Sequence, residues 1–292
     1  ADCGPACISL SQDIQGQTFD YPEDFFKEKI HAIRRPRPDE FQIKEAAEKI
    51  KASKNPIIIS GGGVFYSDAM EELSKFAIKH NIPVTQTVMG YSTMKRDHSH
   101  YAGQIGALGG KNTNSLAKQT DLAIAVGTKL ADFTTGSWTN FENENFKLVS
   151  INVSRFDANK HLAQAVVGDA RASLNELSAA LGDWKAPDGW NKKSQIELKA
   201  WNEHVDKESA PTNQEVPSYV QVVGAVYRNS DPSDIAVTAA GGLVGEVIQV
   251  WRPRELNTHE TEWGFSCMSY EISGALGIKM ANPDKEVISF IG

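Results

Sequence analysis

Short apolar runs and helical stripes alternate along most of the chain. Residues 56–60 (PIIIS), 82–87, 121–126 (DLAIAV), 147–153 and 165–167 are continuous apolar segments of strand length. Such runs mark strands buried on both faces. Between them the apolar positions fall three and four apart. Ile43, Ala46, Ala47 and Ile50 form one stripe of a helix that Asp39 caps, with Gln42 at its third position and an end near Ser53. Met70, Leu73 and Ala77 mark a second helix over 67–80, a third spans 113–119, and Leu174, Leu177 and Leu181 mark a fourth over 169–181. This alternation predicts an α/β fold over residues 40–182, a doubly wound parallel sheet with helices on both sides.

Residues 61–63 (GGG) end the first predicted strand. The glycines continue as GGGVFY rather than Gly-x-Gly-x-x-Gly, and no acidic residue closes the next strand near Thr87. They read as a tight turn, not as a dinucleotide fingerprint. Residues 103–110 read as a glycine-rich irregular segment. Beyond 182 comes a connector over 183–212 with helical character at 190–207, ended by Pro211. Pro217 suits the first turn of a helix carrying Val220, Val223 and Tyr227.

The apolar run 235–240 then breaks on Gly241-Gly242 before a new helical pattern. This is a strand–turn–helix unit whose turn exposes bare backbone and whose helix start offers N–H groups to a phosphate. A polar linker follows, then a helix with Ile272, Ala275, Leu276 and Lys279 on one face. The turn Asn282-Pro283-Asp284 leads to a strand over 286–291 and to Gly292. At the front, residues 4–10 read as a short strand and Arg34-Arg35-Pro36-Arg37 as a solvated hinge.

Composition narrows the function classes. With 40% hydrophobic and 23% charged residues the chain is that of a soluble globular protein. A net charge of −7 argues against a nucleic-acid or anionic-membrane partner, which needs clustered cations. No apolar run approaches the roughly 20 residues that span a bilayer, and no signal peptide is legible, so the expected location is cytoplasmic. Cys3, Cys7 and Cys267 fit a reducing compartment, and no second pair stands at zinc-ligand spacing. His98 and His100 read as solvated loop residues, and the absence of Gly-x-Ser-x-Gly speaks against a serine hydrolase.

The closing stretch carries a resemblance. A Gly-Gly turn is followed by Gly264-Phe265-Ser266-Cys267-Met268, a helix, Ala281-Asn282-Pro283-Asp284-Lys285, an apolar strand and a Gly. That order is similar to the diphosphate-binding domain of thiamine-diphosphate-dependent enzymes, and Gly4-Pro5 with its apolar sequel resembles the passage closing their pyrimidine-binding domain. The resemblance implies that 1–34 is the tail of that pyrimidine-binding domain and 40–182 the central Rossmann-like domain. It implies that 183–212 is a connector and 213–292 a truncated diphosphate-binding domain. The intact enzyme would then use thiamine diphosphate and Mg2+. The metal-holding Asp and Asn would follow Gly292, and the activating Glu would lie before this chain. That Glu acts across a subunit interface in the family, so a homodimer or homotetramer is implied. On those terms the chain alone is expected to be inactive and to bind no cofactor tightly.

By the same resemblance Gly242, Leu243 and Val244 bring backbone to the diphosphate, and Ser266, Cys267 and Met268 line the wall beside the cofactor's rings. Met268 matches the apolar prop of the V-shaped cofactor. The alternative makes Met268 and Ile272 core residues at the start of a helix. Ser269 and Tyr270 depart from the glycine-rich sequence of acetolactate synthases. Some family members hold FAD against the central domain. Residues 103–110 and 127–136 would be the lining segments here, but Asn152 stands where flavin-binding relatives often have Asp. The passages RRPRPDE, MGYSTMKRDHSHYAGQIGALGG, VTAAGGLVGE and EWGFSCMSYEISGALGIKMA resemble one branch of the family. That branch cleaves a C–C bond of trihydroxycyclohexane-1,2-dione to give 5-deoxyglucuronate in myo-inositol breakdown, which implies a small cyclic dione as substrate. The rival expectations are an acetolactate-synthase-like lyase and a non-catalytic flavin- or nucleotide-binding module.

Overall fold

The computed structural model describes residues 7–30, 32–239 and 241–292. Residues 1–35 and 36–292 form two separate compact units. In the first, residues 7–10 are exposed coil rather than the expected strand, whose first residues lie outside those described. Among the described residues no strand pairs with Ile8 or Leu10, and an unpaired ladder edge gains nothing by being extended. Local order there comes from rings: Phe19 meets Tyr21 at 5.3 Å, and Tyr21 meets Phe25 at 5.1 Å.

The second unit opens on a six-stranded parallel sheet. Its strands are β1 (Pro56–Ser60), β2 (Val84–Gln86), β3 (Tyr101–Gln104), β4 (Leu122–Val126), β5 (Lys147–Asn152) and β6 (Gln164–Val167), in the order β3-β2-β1-β4-β5-β6. The pleat sends successive side chains of β1 to opposite faces. Ile58 joins the core under α1 (Glu40–Lys51), α2 (Met70–His80) and α4 (Ala170–Leu181). Ile57 and Ile59 join a second core with Leu116 and Ala117 of α3 (Lys111–Gln119) and with Trp190 of α5 (Asp188–Glu208). The helical stripes predicted from spacing are the buried faces of α1, α2 and α4.

Several expectations need correction. Gln42 does not close a capping box. Asp39 caps α1 through the N–H groups of Phe41 and Gln42, while the Gln42 Oε1 accepts the Val167 N–H at 2.9 Å. The helix expected over 67–80 starts only at Met70, because Asp68 takes a left-handed φ of 50°. Residues 101–104 are an edge strand, hidden in sequence by Gly103 and its φ of +102°. His98 and His100 are not simply solvated. The His98 Nε2 meets the Ser74 Oγ at 2.8 Å, and the His100 Nε2 meets the Asn81 Oδ1 at 3.1 Å. Arg37 of the expected hinge is exposed yet paired with Glu176 at 2.7 Å.

A second parallel sheet follows, of β7 (Ile235–Thr238), β8 (His259–Thr261) and β9 (Val287–Ser289) in the order β8-β7-β9. It is accompanied by α6 (Tyr219–Asn229), α7 (Leu243–Val250) and α8 (Tyr270–Ala281). Pro217 lies before α6, not in its first turn, and Ser218 caps that helix in a capping box with Gln221. The polar linker hides β8, whose His259 and Thr261 are buried. Ile272 and Leu276 do share a face of α8, but that face is open: they are 59% and 62% exposed, and Met280 is 75% exposed. The segment after β2 clamps the two sheets together. The Tyr91 Oη donates to the Ile248 carbonyl at 2.7 Å, and the Arg96 Nη1 donates to the Tyr227 Oη at 2.6 Å.

Two consequences can be measured. Burial holds His80, His98, His100 and His259 below the ordinary histidine range, His100 at about 4 and His259 at about 3. An unfolded chain with histidines near about 6.5 binds more protons than the native one below that pH. Stability contributed by these neutral rings is therefore complete above about pH 6.5 and is lost as pH falls toward about 3. Urea midpoints are expected to drop between pH 7.5 and pH 5, and equal midpoints would contradict this assignment. A methyl on Gly63 would sit 2.6 Å from the Gly127 Cα. Gly63→Ala is therefore expected to cost about 2–3 kcal/mol in the same titration at pH 7.5.

Candidate functional site

The small sheet has the geometry of a ligand crevice at its carboxyl end. The chain goes from β7 to β8 on one side and then crosses to β9 on the other. In open parallel sheets ligands bind outside the strand carboxyl ends at such a reversal. Gly241 follows β7 with a φ of +102°, and a Cβ placed on it would lie 3.5 Å from the Cα of Gly292, which follows β9. Only glycine adopts that φ readily, so the two strand ends meet as bare backbone.

Gly242 is exposed and begins α7, whose start has no side-chain cap. Orphan N–H groups at a helix start accept an anion, so the turn fits a diphosphate. Leu243 is half-buried. The Val244 side chain is buried against Val88 and Ile248, so only its backbone belongs to the turn.

The second flank is the loop after β8, the strand paired to β7 through Thr238 and Thr261. Its shape comes from Glu262, which the sequence reading missed. The Glu262 Oε1 accepts the Phe265 N–H at 2.8 Å, and its Oε2 accepts the Cys267 N–H at 2.6 Å. Slight burial pushes this carboxyl up, but the N–H groups of Cys267, Phe265 and Gly264 and the Cys267 thiol outweigh it and hold it below the usual range. Ser266 and Ser269 take left-handed φ values of 51° and 72°. Ser266, Cys267 and Met268 all stand exposed at this open end, Met268 at 84%. Met268 and Ile272 thus close no core at the start of α8, contrary to the alternative reading. Cys267 is a free thiol.

Behind this loop lies a second group of polar residues. His259 is buried edge-on to Tyr91 at 5.0 Å, with its Nε2 3.5 Å from the Thr238 Oγ1. Burial raises the Glu260 carboxyl, while the Tyr270 hydroxyl, 3.4 Å away, and the Thr261 N–H oppose the shift. Burial, with Glu260 next to it, pushes the Tyr270 phenol up to about 12. A cavity of about 160 Å³ opens between the Gly62–Tyr66 turn and β8, lined by Met89, Asn257 and Glu260. The sequence carried no signal for this group, since residues 259–262 read as polar linker.

Among the described residues no cluster of three or more His, Cys, Asp or Glu is placed to hold a metal ion. The segments named for a flavin are in close backbone contact at the end of the large sheet. Gly63 N–H donates to the Gly127 carbonyl at 2.9 Å, and Ala107 N–H to the Phe133 carbonyl at 2.7 Å. A Cβ on Gly106 would come within 2.1 Å of that Phe133 oxygen.

Comparison with known proteins identifies two family domains. Residues 43–177 match the thiamine pyrophosphate enzyme central domain, and residues 239–292 match the thiamine pyrophosphate enzyme C-terminal TPP binding domain. Over its whole length the chain is 38% identical to a protein of Geobacillus thermodenitrificans named 3D-(3,5/4)-trihydroxycyclohexane-1,2-dione hydrolase. It is 38% identical to one of that name from Clostridium tetani and 37% to one from Bacillus licheniformis. The chain spans about half the length of these relatives, 49%, 49% and 50%.

The turn can be tested directly. Gly241→Ala forces a side chain into a left-handed conformation and is expected to cost about 1–3 kcal/mol, read as a lowered thermal midpoint. An unshifted midpoint would show that the turn does not need glycine.

Proposed function

Because the chain belongs to the thiamine pyrophosphate enzyme family, we propose that the protein cleaves a C–C bond of trihydroxycyclohexane-1,2-dione by hydrolysis, as a step of inositol breakdown that yields 5-deoxyglucuronate. The single observation that carries this reading is the uncapped glycine turn after β7, which meets the end of β9, beside a neighbouring strand β8 whose following loop exposes Met268. Thiamine diphosphate, when bound, supplies the nucleophilic carbon and the electron sink for cleavage beside a carbonyl.

The chain's own part is to bind and orient. The backbone of Gly242, Leu243 and Val244 takes the diphosphate with the positive end of α7 behind it. Ser266, Cys267 and Met268 flank the rings, with the Met268 thioether as an adaptable apolar prop. Mg2+ is proposed to accompany the diphosphate. The open face of α8, with Ile272, Leu276 and Met280 exposed, supports self-association as a dimer or tetramer, since contiguous exposed apolar surface marks contact sites. No helix among the described residues is long and apolar enough to cross a membrane, which accords with a cytoplasmic location.

The test is an assay of the whole protein with thiamine diphosphate and Mg2+. Ring-opened acid is expected from the cyclic dione, at rates that fall to background when the cofactor is dialysed away. Acetolactate formed from pyruvate in preference to dione opening would replace this reading with a lyase. A flavin spectrum without turnover would replace it with a binding module.

A further inference from the structure

The small sheet presents two sets of backbone amides at its carboxyl end, and they are treated differently. The turn at Gly241–Gly242 leads into an uncapped helix. The loop after β8 curls its amides round a carboxylate of its own. The Glu262 oxygens receive the N–H groups of Phe265 at 2.8 Å and Cys267 at 2.6 Å, and the Gly264 N–H and the Cys267 thiol add to what holds that carboxylate charged. Successive amides converging on one anion form a nest of the kind that elsewhere binds phosphate. Here the chain has filled that nest itself.

Two effects follow from charge and geometry. Amide-to-carboxylate bonds are charge-assisted and roughly twice as strong as neutral ones. The loop therefore keeps one shape although it is exposed and holds two serines at left-handed φ. That shape sets where Cys267 and Met268 stand. A filled nest also cannot accept a second anion, because the fixed negative charge repels it. An incoming diphosphate is left with the N–H groups of the turn after β7 as its donors.

We propose that Glu262 is a positioning residue, an internal anion that fills the 264–267 nest, fixes Cys267 and Met268, and reserves the Gly241–Gly242 turn for the diphosphate. The second half of this inference rests on the thiamine diphosphate reading above, while the first half does not. Glu262 touches no reacting atom and acts through the loop.

The experiment uses Glu262→Ala and Glu262→Gln with two readouts. The first is backbone amide exchange of the peptide spanning 264–268, followed by mass spectrometry with and without sodium formate. Exchange is expected to be about ten-fold or more faster in Glu262→Ala, as charge-assisted bonds are lost. Added formate is expected to slow it again by refilling the nest, without effect on the wild type. The glutamine variant keeps one acceptor oxygen and is expected to fall between. Wild-type exchange in both variants, or no response of Glu262→Ala to formate, overturns the nest.

The second readout is thiamine diphosphate half-saturation, with Mg2+, in the whole protein. It is expected to rise about ten-fold in Glu262→Ala, with recovery in formate and an unchanged far-ultraviolet circular dichroism spectrum. A loosened loop with unaltered half-saturation overturns the positioning role. Wild-type protein that takes up no cofactor overturns both the family chemistry and the positioning role, while the formate-dependent exchange still decides the nest.

Discussion

The Tyr91 side chain is the constraint on which the arrangement depends. It is 1% exposed, so burial pushes its phenol far up, and it cannot remain there without a hydrogen-bond partner. The partner is the Ile248 carbonyl in the last turn of α7. The same ring receives the edge of His259 in β8. One residue beyond β2 thus fixes both the helix and the strand that frame the crevice of the small sheet. The Ser92 hydroxyl adds a bond from the Thr258 N–H at 3.2 Å. Each bond is worth only about 1 kcal/mol net, but breaking one inside costs more, because the abandoned group stays dry.

The two parallel sheets use the same architecture to opposite ends. At the carboxyl end of the large sheet, glycines let backbones touch: Gly61, Gly63 and Gly127 are packed so closely that a Cβ on any of them would collide. The strand ends there are in direct backbone contact. At the carboxyl end of the small sheet, the glycines at 241 and 242 leave space, with the Tyr219 ring 3.9 Å from a Cβ on Gly242. Glycine runs in a sequence therefore carry two meanings that only packing separates. One welds strands together and the other clears room above them.

The large sheet was legible in the sequence because its strands are buried on both sides and its helices on one. PIIIS and DLAIAV announce themselves, as does the stripe from Ile43 to Ile50. What escaped was held by polar contacts rather than by apolar pattern. The strand at 259–261 reads as linker because His-Glu-Thr has no apolar residue, and it is buried only because His259 stays neutral beside Tyr91. Glu262 carries no signal either, since its partners are amides and every residue but proline has one. For the candidate site, the turn at Gly241–Gly242 was visible as strand, glycines and helix, and the loop bearing Met268 came from family resemblance alone. The face of α8 shows the limit of periodicity: spacing identified which residues share a side and said nothing of what lies opposite.

The long helix α5 changes how the molecule can be divided. The sequence suggests a connector over 183–212, and a helix that merely joined two bodies could be cut. Instead, the Trp190 indole donates to the Pro56 carbonyl at the root of β1, and Leu198 is buried in a core of the large sheet. Val205, two turns further on, belongs to the core of the small one. The helix is a shared rafter. Recombinant pieces that end at residue 182 would strip the indole from one body, and pieces that begin at 213 would strip the valine from the other. A calorimeter would accordingly see both sheets melt in one endotherm.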